Sequence, residues 1–201
     1  LCAQQLYADT GLGPADIDVV LHTHLHEDHI GWDTSLIAGE WVPTFPNAVH
    51  VYVGDELDFT RLPERRDGQD PFTESVEPIL AAGLAREVDP ATDLDDGLQL
   101  LPTVGHTRGP CSVLVDTGGE PLMITGDVID HPFQCARPEL AHGSDWNRDK
   151  ARESRRALLD QVCNAGAVVA GTHFPVAPVG MVEPDGAVWK FKPLAGQPVS
   201  P

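Results

Sequence analysis

Leu21-His22-Thr23-His24-Leu25-His26-Glu27-Asp28-His29-Ile30-Gly31 sets four histidines and two carboxylates in one short segment, directly behind the β-like run 18–21. Such a density of imidazole is hard to explain as packing or as a solvated loop. Neutral imidazole nitrogen is the commonest protein metal ligand, and carboxylate oxygen is its usual companion. The segment reads as a metal site. If residues 19–25 continue in extended form, His24 and His26 share one face, about 6.5–7 Å apart along the strand. Both rings can then converge on one ion. Asp28 and His29 follow where the chain must turn, free to serve a second ion. The helical H-E-x-x-H motif is absent from the sequence, which argues against a zincin-type protease.

Three further elements follow the same logic. Gly105-His106-Thr107 comes after a predicted strand over 98–104, Gly126-Asp127 after one over 122–125, and Gly171-Thr172-His173 after one over 167–170. Each candidate ligand thus sits just past the C-terminal end of a strand, where open α/β sheets place their ligands. A single His or Asp in such a place is usually solvated or a turn former; three in order behind the first cluster are not.

Thr23-His24-Leu25-His26-Glu27-Asp28-His29 resembles the H-x-H-x-D-H signature of the metallo-β-lactamase superfamily, and the later G-H-T, G-D and G-T-H elements match the rest of its pattern. The resemblance implies an α/β, four-layer αβ/βα sandwich with two divalent metal ions at the sheet ends. It implies that His24, His26 and His106 hold the first ion, that Asp28, His29 and His173 hold the second, and that Asp127 bridges them. Asp28 and Asp127 are the candidate catalytic carboxylates. Zinc is the favoured ion for this nitrogen-rich, thiolate-free set, with manganese, iron, cobalt or nickel as alternatives.

The segments Gly31-Trp32-Asp33-Thr34, Trp41-Val42-Pro43-Thr44-Phe45-Pro46-Asn47-Ala48 and Gly126-Asp127-Val128-Ile129 with His131-Pro132 look like the lactonase and methyl-parathion-hydrolase-like branch. That branch implies a metal-bound hydroxide cleaving an ester-like bond (lactone, carboxylic ester or phosphotriester) in a small neutral substrate. Trp32, Trp41, Phe45, Phe133 and Phe174 are candidates for an apolar pocket wall. A glyoxalase II-type thioesterase is one alternative, although the C-terminal part offers only Lys190 and Lys192 for glutathione carboxylates. A non-catalytic metal-binding fragment is another.

The chain departs from the family in two places. The usual G-H-T-P-G-H reads Gly105-His106-Thr107-Arg108-Gly109-Pro110 here, so the metal ligand survives while the second histidine is lost. Only 23 residues precede His24, where the family carries a longer β-rich section. The first strands of one sheet are therefore expected to be missing from a single metallo-β-lactamase-like domain spanning 1–201, leaving an exposed edge. Of the remaining histidines, His22 reads as a supporting residue, His50 as structural and far from the site, and His131 as an ordinary loop histidine with contact to substrate or a ligand as the alternative, while His142 has no evident role.

Composition narrows the partners. A formal charge of −18, with three lysines among thirteen basic residues, repels phosphate backbones and anionic membrane surfaces. No nucleic acid and no membrane are expected as partners, but a small-molecule substrate is, with a homodimer as the candidate assembly. Cys2, Cys111, Cys135 and Cys163 are far apart and read as free, mostly buried thiols of a cytoplasmic protein, with secretion left open by the atypical start. Further predicted elements are strands over 47–53, 84–88 and 111–116, helices over 54–62, 72–83 and 146–165, and a hairpin over 179–191.

Overall fold

The computed structural model describes residues 8–62, 72–94 and 97–195. The expected helix over 1–8, the charged loop over 61–71 and Cys2 fall largely or wholly outside the described residues. The chain divides into two compact units, Leu1–Val88 and Asp89–Pro201.

In the first unit, β1 (Val19–Leu21), β4 (Val49–Val53) and β5 (Ala85–Val88) form a parallel sheet in the order β1-β4-β5. Val19 pairs with Val49, and His50 pairs with Ala85. Between β1 and β4 lie a short helix α1 (Glu27–Ile30) and a hairpin of β2 (Thr34–Ile37) and β3 (Glu40–Pro43). Helix α2 (Gly54–Thr60) follows β4, and a wide π-type turn (Phe72–Val76) leads into α3 (Glu77–Ala81). The predicted helix over 72–83 is thus split, with Pro78 near the first turn of α3, where its missing N–H costs nothing. Leu25, Ile30, Tyr52, Leu57, Phe72, Val76 and Ile79 close the core on this side.

The second unit carries a six-stranded sheet in the order β11-β10-β9-β8-β7-β6. Its strands are β6 (Leu98–Pro102), β7 (Cys111–Val115), β8 (Leu122–Ile124), β9 (Val168–Ala170), β10 (Val179–Asp185) and β11 (Val188–Pro193). All pairings are antiparallel except β8 with β9. The connection between those two is made by the short helix α4 (Phe133–Ala136) and the long helix α5 (Arg148–Ala165).

Helix α5 is specified locally at both ends. The Asn147 side chain accepts a hydrogen bond from Lys150 N, and Gly166 closes the helix at φ 61°, where only glycine is comfortable. Its buried residues Ala151, Leu158, Leu159 and Val162 recur at helical spacing, and the last three pack with Met123, Ile129 and Val169. Ala165, expected on that stripe, is exposed, and Arg155 occupies its middle instead. Cys111 and Cys135 are buried and Cys163 half-buried, and burial pushes the Cys135 thiol up to about 12. Among the described residues no helix is long and apolar enough to cross a membrane.

Leu159 is fully buried at the centre of this packing. Leu159→Ala is expected to lower unfolding free energy by about 2–5 kcal/mol in urea titration, the cost of the lost methyl groups and the cavity left behind. A change below 1 kcal/mol, roughly the smallest such cost in cores, would show that this helix face is not core.

Candidate metal centre

The predicted ligands fall in both units, and within each unit they are brought together. In the first, β1 ends at Leu21, and the chain is irregular from His22 to His26 rather than extended. His24 and His26 therefore do not share a strand face, contrary to the expectation from an extended 19–25. The backbone N–H of His22 still donates to the Val51 carbonyl at 3.4 Å, after which the chain turns away from β4. The turn nevertheless places His24 Nε2 3.2 Å from His26 Nδ1, with the ring planes at 83°. Two ligands bonded to one ion at 2.0–2.1 Å in tetrahedral geometry stand about 3.3–3.4 Å apart, so the pair fits shared coordination. Helix α1 then carries Asp28 and His29, with His29 Nε2 3.5 Å from Asp28 Oδ2 and its ring 4.0 Å from that of His24.

In the second unit, His106 and His173 sit on loops beyond β6 and β9, and Asp127 sits in a one-turn 3-10 helix (Gly126–Val128) just beyond β8. Asp127 Oδ2 lies 3.4 Å from His106 Nε2 and 3.3 Å from His173 Nε2, so one carboxylate oxygen faces two imidazole nitrogens. The loop carrying His106 is pinned to the start of α5. Asn147 N donates to Gly105 O at 2.9 Å and Trp146 N to His106 O at 3.0 Å. The approach is so close that a Cβ on Gly105, whose φ is +142°, would stand 2.1 Å from Ala151 N. Glycine is required at 105 for both reasons.

Three residues that sequence reasoning passed over support His106. Its Nδ1 lies 3.1 Å from Asp145 Oδ1, an arrangement that fixes the ring and directs Nε2 toward Asp127. Asp145 in turn accepts from His142 N at 2.8 Å and stands 4.0 Å from Arg155 Nη2. Arg155 is fully buried, and it donates to the carbonyls of Val128, Pro138 and Leu140. Asp130 completes the group, within 4.8 Å of both His106 and His142 by their ligand-type atoms. Burial raises the Asp130 carboxyl, and the nearby Asp127 charge raises it further. Burial alone would push the His106 imidazole down, but the hydrogen bond it donates to Asp145 and the charges of Asp127 and Asp130 outweigh it and hold it above its usual value.

Other expectations resolve differently. His131 accepts from Phe133 N at 3.0 Å through Nδ1, the work of a local turn. Arg108 lies over the Trp146 ring at 5.3 Å. Phe174 belongs to the core, edge-on to Phe191, whereas Phe133 and Trp41 are exposed. Trp32 and Phe45 line a pocket of about 320 Å³ in the first unit, together with Asp28, His29 and Asp33. His50, expected to be remote, stacks 5.8 Å from His22.

The metallo-beta-lactamase superfamily pattern matches residues 2–162. The chain belongs to that superfamily. Its relatives include the N-acyl homoserine lactonase AttM of Azorhizobium caulinodans, 29% identical over 184 residues, covering 88% of this chain and 65% of the relative. A probable metallo-hydrolase of Methanocaldococcus jannaschii is 27% identical over 125 residues, covering 58% of this chain and 52% of the relative. The chain therefore spans about half to two thirds of the length of these relatives. Among solved structures, the hydrolase AbOPH of the beta lactamase superfamily superposes with a TM-score of 0.84 at 26% identity, over 98% of this chain and 70% of that one. AidC, a dizinc quorum-quenching lactonase solved with a product, superposes at 0.82 with 22% identity, over 96% and 70%. The fold is that of the metallo-β-lactamase superfamily, and the imidazole and carboxylate donors suit a divalent cation.

Asp145→Ala is expected to weaken zinc affinity about 10–100-fold in chelator competition, with Asp145→Asn recovering part of the loss. Unchanged affinity would show that the carboxylate is not needed to hold His106. Protons compete with the cation for His106. Zinc release should therefore set in as pH falls through the raised His106 pKa, and retention that does not vary with pH would contradict it.

Proposed function

We propose that the protein is a metal-dependent hydrolase that opens a lactone or related ester bond in a small, uncharged substrate. The observation that carries this reading is Asp127 Oδ2, held between His106 and His173 at 3.4 and 3.3 Å as a bridging carboxylate would be. Support comes from the imidazole pair at 24 and 26 and from relatives named as lactonases. In this reading His24, His26 and His106 hold one ion, Asp28, His29 and His173 hold a second, and Asp127 is common to both. When bound, such ions supply Lewis acidity toward a carbonyl or phosphoryl oxygen and bring water toward neutral pKa.

The protein's own groups do the rest. Histidine–carboxylate contacts such as Asp145 with His106 keep the ligand nitrogens aimed before substrate arrives, so little reorganisation is paid during reaction. A water oxygen bonds to the carbonyl carbon while the carbon–oxygen bond of the ester breaks. Asp127, held at His106 and His173, would carry the water's proton to the departing alkoxide. Asp28 faces the pocket that Trp32 and Phe45 line, where apolar side chains stand beside the carboxylates of Asp28 and Asp33, a lining that suits an uncharged substrate better than an anionic one. The thioesterase alternative loses ground because Lys192, one of two lysines available for an anionic thiol carrier, is paired with Glu183.

A panel of an N-acyl homoserine lactone, a chromogenic carboxylic ester and a phosphotriester, assayed with and without chelator, tests the reading. Turnover of the lactone or ester should vanish with chelator and return with zinc. His106→Ala and Asp127→Ala should lower kcat/KM by about a hundredfold or more. Full turnover in chelator, or in either variant, would overturn the proposal.

A further inference from the structure

The stretch 23–32 carries every candidate ligand of the first unit, and the residues on either side of it touch. His22 Nε2 lies 2.9 Å from Asp33 Oδ1 and 2.8 Å from Oδ2, with both side chains buried. We propose that His22 and Asp33 form a clamp, closed by Tyr52 and His50, that holds the ligand loop in coordinating shape before any cation arrives. Its effect on the cation rests on the proposed metal-binding role of His24, His26, Asp28 and His29; its effect on the loop does not.

The clamp is anchored to the sheet at both jaws. His22 Nδ1 is 3.1 Å from the Val51 carbonyl on β4, to which the His22 backbone N–H also donates. Tyr52, next on the same strand, donates its hydroxyl to Asp33 Oδ2 at 3.1 Å, and its ring stacks 4.6 Å from that of His22. His50 Nδ1 stands 3.6 Å from the same oxygen. Asp33 is tied through its backbone too, donating to Ile30 O and accepting from Thr44 N. Burial would raise the Asp33 carboxyl, but His22 and His50 outweigh it and keep the group below the ordinary carboxylate value. Burial and the Asp33 charge push the Tyr52 hydroxyl far up, so it remains a donor.

None of these four side chains is among the proposed metal ligands, yet together they close the ten intervening residues into a loop fixed on β4. Leu25 and Ile30 pack into the core from within that loop, and Leu25 N donates to the buried Glu56 carboxylate. Packing alone is therefore the rival explanation of the loop's shape, and it separates cleanly from the clamp. Asp33→Asn preserves volume while removing the charge and turning one acceptor oxygen into an amide donor.

The experiment is amide hydrogen exchange on the metal-free protein, followed by cobalt binding, for the parent, Asp33→Asn, Asp33→Ala and Tyr52→Phe. The clamp predicts that Asp33→Asn speeds exchange within 23–32 by about tenfold or more, the opening expected when a charge-assisted hydrogen bond is lost. Exchange in the second unit should not change. Cobalt affinity should fall about 10–100-fold, with altered visible absorption bands, and Tyr52→Phe should give a smaller change in the same direction. A folded Asp33→Asn protein with unaltered exchange at 23–32 would overturn the clamp. So would His50→Ala losing one equivalent of bound metal, because the cluster would then itself be a metal site. Faster exchange at 23–32 in Asp33→Asn, together with a parent that binds no cobalt, would leave the clamp standing and remove the proposed function instead.

Discussion

Imidazole nitrogens and carboxylate oxygens do not stand 3.2–3.4 Å apart without a proton or a cation to share. His24 with His26, and Asp127 with both His106 and His173, are placed in that way. Bringing such groups out of water costs several kcal/mol per charge, and that cost is recovered only when an opposite charge takes up the lone pairs. The surrounding fold can be understood as a means of holding these donors near each other against that cost. The second unit does it with Asp145 and Arg155 beneath His106, and the first with His22, Asp33 and Tyr52 at the ends of the ligand loop.

The same comparison explains what was legible in the sequence. Ligand chemistry is local: four imidazoles within eight residues, and a His or Asp behind each of three strand patterns, need no tertiary knowledge to be recognised. The strands themselves were legible because they are short, β-branched and bounded by glycine, as β7 and β9 are. The helix α5 announced itself through its spacing and Gly166. The extension of β1 through His24 was not correct, because alternation in L-H-T-H-L-H reports only that residues differ in polarity. Hydrogen bonding to β4 stops at His22, and the chain leaves the sheet there.

The supporting residues were illegible for a different reason. Asp145 lies 39 positions from His106, and Asp33 lies 17 from His50, so no periodic signal joins either pair. The one available clue was Arg155, a charged residue in the middle of the apolar stripe Ala151, Leu158, Leu159 and Val162. A buried guanidinium demands acceptors, and the carbonyls of Val128, Pro138 and Leu140 meet that demand. The second histidine of the family's G-H-T-P-G-H element is lost from this chain, and with it the hydrogen bonds it would supply around the site. Asp145 on Nδ1 supplies such support from another part of the chain.

X-ray absorption at the zinc edge of the metal-loaded protein tests the central claim most directly. Two ions per chain, each with nitrogen and oxygen neighbours near 2.0–2.1 Å and a metal–metal distance of about 3.5–4 Å, is the result this account predicts. A protein that retains no ion, or one whose spectrum carries sulfur neighbours and no metal–metal scattering, would contradict it.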